Sequence, residues 1–278
     1  MFDSLPKDFL YSAYQLRSTH LRGDGDVKVF SGTCFHIKDG EEIFLVTNRH
    51  NLEANYKDEK YAGYKINNLE ISGYFGSEQY LDCLIEKQTL KYATSENYDE
   101  DVIALDMTKV SVVYRRRKTT TPLPTDISPI NLDISLIATN DELCKIDPCD
   151  VIAFPGYPEF FDRNGNRPIM RVGTIASDPN SDYQAEHMQP GRRIAYEAHS
   201  TQGSSGSPVF AVPKGIRLGA GLEGGNYRDV MLVGINSGHL IGREEKIGQI
   251  HSGLSFCFKS SCILDAIKRL KALKVTSP

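Results

Sequence analysis

Gln202-Gly203-Ser204-Ser205-Gly206-Ser207-Pro208-Val209-Phe210 is a serine-rich turn punctuated by two glycines that runs into an apolar strand. Alone, Gly-Ser-Ser-Gly-Ser has the composition of a flexible loop. Two other segments change its reading. Phe44-Leu45-Val46-Thr47-Asn48-Arg49-His50 is an apolar strand ending in a polar turn that carries a histidine. Asp99-Glu100-Asp101-Val102-Ile103-Ala104-Leu105 is an acidic turn leading into another apolar strand. A histidine after a strand is ordinarily a turn residue, and an aspartate before one is ordinarily a surface carboxylate. Together the three segments supply what nucleophilic acyl transfer needs. A serine hydroxyl attacks well only when an imidazole takes its proton. A carboxylate on the other ring nitrogen fixes the imidazole tautomer. The tetrahedral oxyanion needs backbone N–H donors, and glycines let the backbone turn tightly and approach a substrate. On this reading Ser205 attacks, His50 is base and then acid, and Asp101 orients His50. The amides of Gly203 and Ser205 form the oxyanion hole.

Short β-rich runs surround these segments. Val27 to Ile37 and Ile43 to Thr47 flank Asp39-Gly40, a hairpin signal. Further strands are expected at Leu69–Tyr74, Asp101–Met107, Val151–Phe154, Met170–Ser177, Arg193–Ala198, Ser207–Val212, Val230–Ser237 and Leu254–Phe258. Short strands at this density predict an all-β sandwich or barrel. A short N-terminal helix is expected from Ser4 to about Leu16, with Phe9, Ala13 and Leu16 on one face. A C-terminal helix follows Ser260-Ser261, with Ile263, Ile267, Leu270 and Leu273 as an apolar stripe and Lys268, Arg269 and Lys271 facing away. It reads as a cover over an open barrel end. Tyr114 to Pro129, with three prolines and a threonine run, reads as a linker. The expected division is 1–24 as an N-terminal helical extension, 25–113 as a first barrel, 114–129 as the linker, 130–259 as a second barrel and 260–278 as helix and tail.

Composition excludes several functions. The 278 residues carry 32 Lys and Arg against 36 Asp and Glu, a net charge of -4, which does not suit a phosphate-backbone binder. The basic cluster Arg115, Arg116, Arg117, Lys118 lacks interleaved aromatics and reads as a solvated loop, so no nucleic acid is expected. No apolar run approaches the roughly 20 residues that cross a bilayer, so no membrane is expected either. The start shows no secretory pattern, and six scattered cysteines are expected to be reduced thiols in a cytoplasmic protein. The pairs Cys144/Cys149 and Cys257/Cys262 lack the tighter hook of a zinc site. No metal and no cofactor are expected.

The three segments, with others, resemble trypsin-like (chymotrypsin-fold) serine peptidases, in the bacterial high-temperature-requirement-like and glutamyl-endopeptidase-like branch. Ser31-Gly32-Thr33-Cys34-Phe35 resembles that branch's opening strand. Val46-Thr47-Asn48-Arg49-His50, Asp101-Val102-Ile103-Ala104-Leu105 and Gly203-Ser204-Ser205-Gly206-Ser207-Pro208 stand where the family carries its triad. Leu232-Val233-Gly234-Ile235-Asn236-Ser237-Gly238 resembles the substrate-binding strand, and Phe154-Pro155-Gly156-Tyr157-Pro158 with Val172-Gly173-Thr174 the start of the second barrel. The resemblance covers about Val27 to Ile267. It implies two packed antiparallel β-barrels with the triad in the cleft between them, and Ser237 beside the Asp101 carboxylate. Ser204 replaces the aspartate of secreted trypsins that pairs with a new N-terminus, which argues against that zymogen switch. No PDZ-like module is expected after the second barrel.

By the same resemblance His199, six residues before Ser205, lines the primary specificity pocket with Asn236, Ser237 and Gly238. No carboxylate stands there, so Lys or Arg is not the expected P1 residue; His199 and Asn236 instead suit a polar or acidic one. The expected function is an intracellular serine endopeptidase acting on protein or peptide substrates. An unformed oxyanion hole, the glycine-rich segment Lys214–Arg228 acting as a flap, or a regulatory partner would keep it latent. The competing reading is a catalytically inactive trypsin fold used as a binding or sensor module.

Overall fold

The computed structural model describes residues 5–75, 79–85, 90–108, 110, 112–115, 128–186, 188–215, 217–218, 222–223, 227–244 and 248–275. Helix α1 (Lys7–Tyr11) precedes nine strands: β1 (Ala13–Leu21), β2 (Val27–Asp39), β3 (Glu42–Thr47), β4 (Lys65–Phe75), β5 (Gln79–Ile85), β6 (Tyr92–Thr94), β7 (Ile103–Asp106), β8 (Val112–Arg115) and β9 (Asn131–Asp133). These form one sheet in the order β6-β7-β3-β2-β1-β4-β5-β8, with β9 parallel to β2. The sheet curls around its own core. Leu16, Cys34, Leu45, Leu69, Ile71, Leu81, Ile103 and Leu105 come from six different strands and meet in one apolar cluster.

The second half begins with α2 (Asn140–Leu143) and continues through β10 (Val151–Gly156), β11 (Ile169–Ile175), β12 (Arg193–Glu197), β13 (Pro208–Ala211), the two-residue strands β14 (Arg217–Leu218) and β15 (Leu222–Glu223), β16 (Met231–Glu244) and β17 (Gly248–Lys259), to α3 (Ser260–Val275). Strands β10-β11-β12-β17-β16-β13 close into a barrel. The chain is therefore all-β in a chymotrypsin-like two-lobed architecture. Its second barrel is fully closed, whereas hydrogen bonding leaves the first as an open path of strands among the described residues. No helix among those residues is long and apolar enough to cross a membrane.

Two boundaries differ from the sequence expectation. The N-terminal helix ends at Tyr11, and residues 13–21 are a strand rather than part of a helical extension. There Tyr14, Leu16, Ser18 and His20 alternate inward, and β1 pairs with β2 on one side and β4 on the other. That two-sided ladder outweighs the helical spacing of Phe9, Ala13 and Leu16. Tyr114 and Arg115 belong to β8 rather than to the linker, while 116–127, with the rest of the basic cluster, lie outside the described residues. Of the glycine-rich segment, β14 pairs with β15 and Lys214 bridges Arg228, while 216, 219–221 and 224–226 lie outside the described residues.

Helix α3 does more than cover one barrel end. Cys262, Ile263, Ala266, Ile267 and Leu270 share one apolar cluster with Phe35, Ile37, Phe44 and Val46 of the first lobe and Phe210, Leu232, Ile235 and Phe258 of the second. On the first lobe, Lys271 pairs with Asp39 and Glu42, and Lys274 with Glu42 and Asp106. Leu273, expected in the stripe, is half exposed. Leu270→Ala is expected to destabilise the whole protein by about 2–5 kcal/mol, because the side chain is fully buried where helix and lobes meet. Urea unfolding followed by circular dichroism checks this.

Candidate active site

Each of the three sequence segments places its functional residue just beyond one end of a strand. β3 delivers the chain to a single 3-10 turn, Arg49–Asn51, that carries His50. Asp101 sits two residues before β7, and Ser205 three residues before β13. Asp101 is 7% exposed and accepts from three donors. The backbone N–H of His50 reaches Oδ1 at 2.9 Å, His50 Nδ1 reaches Oδ2 at 2.5 Å, and the Ser237 hydroxyl reaches Oδ2 at 3.0 Å. A carboxylate only accepts, so His50 carries its proton on Nδ1 and a neutral ring leaves Nε2 as the basic nitrogen. Burial opposes charge on this imidazole, but attraction to Asp101 and the hydrogen bond to it win, and the His50 pKa is raised above the ordinary histidine value.

Ser237 joins this pair to the serine. Its hydroxyl meets Asp101, while its carbonyl accepts from the Ser205 hydroxyl at 3.3 Å. In this conformation Ser205 donates to Ser237 and not to His50 Nε2.

The serine turn is gripped from both lobes. Thr33 N–H and Asn51 Nδ2 donate to the Ser205 carbonyl at 2.8 and 3.2 Å, and the Thr33 hydroxyl donates to the Gly203 carbonyl at 2.8 Å. From the second lobe, Gly206 N–H donates to the Asn236 carbonyl and the Asn236 amide to the Ser204 carbonyl, both at 2.8 Å. Gly203 and Gly206 have φ of +89° and +91°, and a Cβ would stand 2.4 Å from the Tyr157 carbonyl and 1.9 Å from the Thr33 carbonyl. Neither position tolerates a side chain.

Among the described residues no acceptor faces the N–H of Gly203 or of Ser205. The Gln202 carbonyl is held by Glu159 N–H at 2.9 Å. Because the intervening peptide is trans, this turns the Gly203 N–H the opposite way. In this conformation the Gln202 carbonyl therefore does not cap the Ser205 N–H.

The expected pocket residues divide. Asn236 is fully buried: its amide donates to Ser200 Oγ and the Ser204 carbonyl, and its carbonyl accepts from Tyr196 OH at 2.5 Å. The expectation that it meets a substrate side chain is corrected; it braces the serine turn from behind. Ser237 and Gly238 are half-buried beside it. His199 is exposed and its ring lies 4.6 Å from that of His251, which stacks on His239 at 4.5 Å. The register pairs His239 with Ser255, whose hydroxyl accepts from Ser200 N–H, placing this row of rings beside the serine turn. The Arg171 guanidinium donates to the His199 carbonyl and to Thr201 Oγ1. Burial pulls the His239 pKa down, and burial with the proximity of other basic side chains does the same for His251. The sequence reading placed neither His239 nor His251 in the pocket wall. It also missed Asn51, although that residue follows His50 directly.

No protein-family model matches the chain, and no curated protein sequence does. Its fold is shared with solved structures. Deg5 superposes with a TM-score of 0.52 at 11% identity, covering 95% of this chain and 90% of that one. The HtrA-type protease AlgW, solved with a decapeptide, gives 0.52 at 14% identity over 96% of this chain and 65% of its own. The thermostable serine protease AL20 from an extremophilic microorganism gives 0.50 at 14% identity over 95% and 99%. The chain thus has a trypsin-like protease fold whose structural neighbours are of the HtrA/Deg type.

Asn236→Ala is expected to destabilise the fold by about 1–3 kcal/mol, since it strands Tyr196 OH and the Ser204 carbonyl in a buried site. Thermal unfolding measures the loss.

Proposed function

We propose that the chain is a serine endopeptidase. The observation that carries the reading is the continuous path from the His50 imidazole through Asp101 and Ser237 to the Ser205 hydroxyl, ending beside two N–H groups without acceptors. Rotation of the Ser205 side chain toward His50 Nε2 would begin the reaction. Nε2 takes the hydroxyl proton as Oγ bonds to the scissile carbonyl carbon, and the carbonyl oxygen becomes an oxyanion facing Gly203 N–H and Ser205 N–H. The His50 imidazolium, held by Asp101, then protonates the leaving amine as the C–N bond breaks. Water, deprotonated by the same nitrogen, hydrolyses the acyl ester and returns the proton to Ser205. Protein or peptide substrates, a cytoplasmic setting and restraint by a regulatory partner belong to the same proposal. The opposing reading, an inactive binding or sensor module, draws on the Ser205 hydroxyl's contact with Ser237 in place of His50.

For specificity we propose a polar or acidic P1 side chain, met by His199 with His239 and His251 in place of the buried Asn236. The Gly253 N–H donates to His251 Nδ1 at 2.9 Å, so a neutral His251 ring keeps Nε2–H as a donor. An arriving carboxylate would also favour the imidazolium form of these rings.

A fluorophosphonate probe is expected to label Ser205, and Ser205→Ala to abolish labelling with the fold retained by circular dichroism; labelling that persists in the variant overturns the assignment. Because His50 must be neutral to act as base and its pKa is raised, the labelling rate should climb with pH through a midpoint above 6.5. A midpoint below that value counts against the Asp101 contact. In a peptide-library cleavage profile Glu or Asp should be enriched at P1, and Lys or Arg enrichment refutes the pocket assignment.

A further inference from the structure

We propose that Arg192 is a positioning residue for Asp101, and that α3 bears on the active site through Asp265. The inference rests on the site reading above and adds a control element to it.

The contacts already described hold the Asp101 carboxylate, and its backbone is held separately. Asn48 Nδ2 and Arg49 N–H hold its carbonyl, at 2.7 and 3.4 Å, from the first lobe. The residue before it, Glu100, is held from elsewhere. Its carboxylate is 2% exposed and receives Arg192 Nε at 2.8 Å on Oε1 and Arg192 Nη2 at 2.6 Å on Oε2. The backbone N–H of Arg192 adds a third bond to Oε1 at 3.2 Å, and the Ser95 hydroxyl donates to Oε2. This is a two-pronged charge-assisted pair, the geometry that fixes orientation best. Burial works against the Glu100 charge, yet Arg192 and Ser95 outweigh it and bring its pKa down to about 2, so the pair is ionised throughout the working range.

Arg192 immediately precedes β12, so the clamp crosses from the second lobe to the first-lobe loop that ends in Asp101. The same Nη2 reaches Asp265 Oδ2 in α3 at 2.6 Å. The Arg192 carbonyl accepts from Lys259 N–H, the residue before α3. Arg193 continues the grip, its Nη2 meeting the Asp99 carbonyl at 3.4 Å, and Lys57 pairs with Asp99 from the first lobe. The acidic loop 99–101 is thus held by both lobes and by the helix that joins them. A shift of α3 moves Asp265, then Arg192, then Glu100, and with it the carboxylate that orients His50.

The sign of one measurement separates positioning from charge. Removing a cation near His50 stabilises the imidazolium and raises its pKa. Loosening Asp101 removes a short contact and lowers it. His50 titration is followed by NMR in the full chain for wild type, Arg192→Met, Arg192→Lys and Asp265→Asn, beside fluorophosphonate labelling of Ser205 and thermal unfolding. The expected result is a lower His50 midpoint in Arg192→Met, with the labelling rate reduced on the order of 10- to 100-fold. Arg192→Lys keeps the charge but loses the fork and should give a partial loss, and Asp265→Asn a smaller shift of the same sign. Folded variants with an unchanged or raised midpoint and unchanged labelling overturn the proposal. If Arg192→Met does not fold, Arg192→Lys and Asp265→Asn decide. If wild type itself is not labelled, the peptidase reading falls, while the NMR titration still decides for or against Arg192.

Discussion

A carboxylate buried at a seam has to be satisfied from both sides of it. Asp101 has little contact with water, and an unpaired buried carboxylate is costly. Two of its three donors belong to His50 of the first lobe and one to Ser237 of the second, so both lobes contribute. The lobes can therefore satisfy Asp101 in only one mutual placement. The turn carrying His50 also meets the loop carrying Ser205, through Asn51. Stability of the seam and geometry of the site are the same requirement.

The seam divides its tasks between two kinds of contact. The apolar cluster of Phe35, Phe44, Phe210, Phe258 and the α3 stripe supplies non-directional attraction and does not by itself choose a register. The polar contacts around Thr33, Asn51 and Asn236 choose it. Each touches the serine turn at a backbone group, so the turn is defined by its carbonyls rather than by its side chains. This explains how Gly203-Ser204-Ser205-Gly206-Ser207, which reads as a flexible linker, is a fixed element here.

Much of the fold could be read in the chain because strand ends carrying His50, Asp101 and Ser205 are local patterns, and local patterns survive without knowledge of partners. What was misread depended on partners. β1 carries spacing compatible with a helix, and only β2 and β4 on either side make it a strand. Asn236 was placed in the pocket wall by the resemblance of its strand to a substrate-binding strand. Its side chain is buried instead, against Tyr196, Ser200 and the Ser204 carbonyl, partners that come from other parts of the chain. Glu100 and Arg192 stand far apart in sequence, and nothing near either announces the other. His239 and His251 meet only because β16 and β17 fold back on one another.

The helix that seals the seam also orders events in time. α3 follows both lobes along the chain, yet it contributes Cys262, Ile263, Ala266, Ile267 and Leu270 to the apolar patch the lobes share. A nascent chain emerges N-terminal part first, so each lobe can collapse around its own core while that common patch still lacks its third wall. The shared patch is therefore completed only once α3 has been made, after both lobes have had time to gather around their own cores.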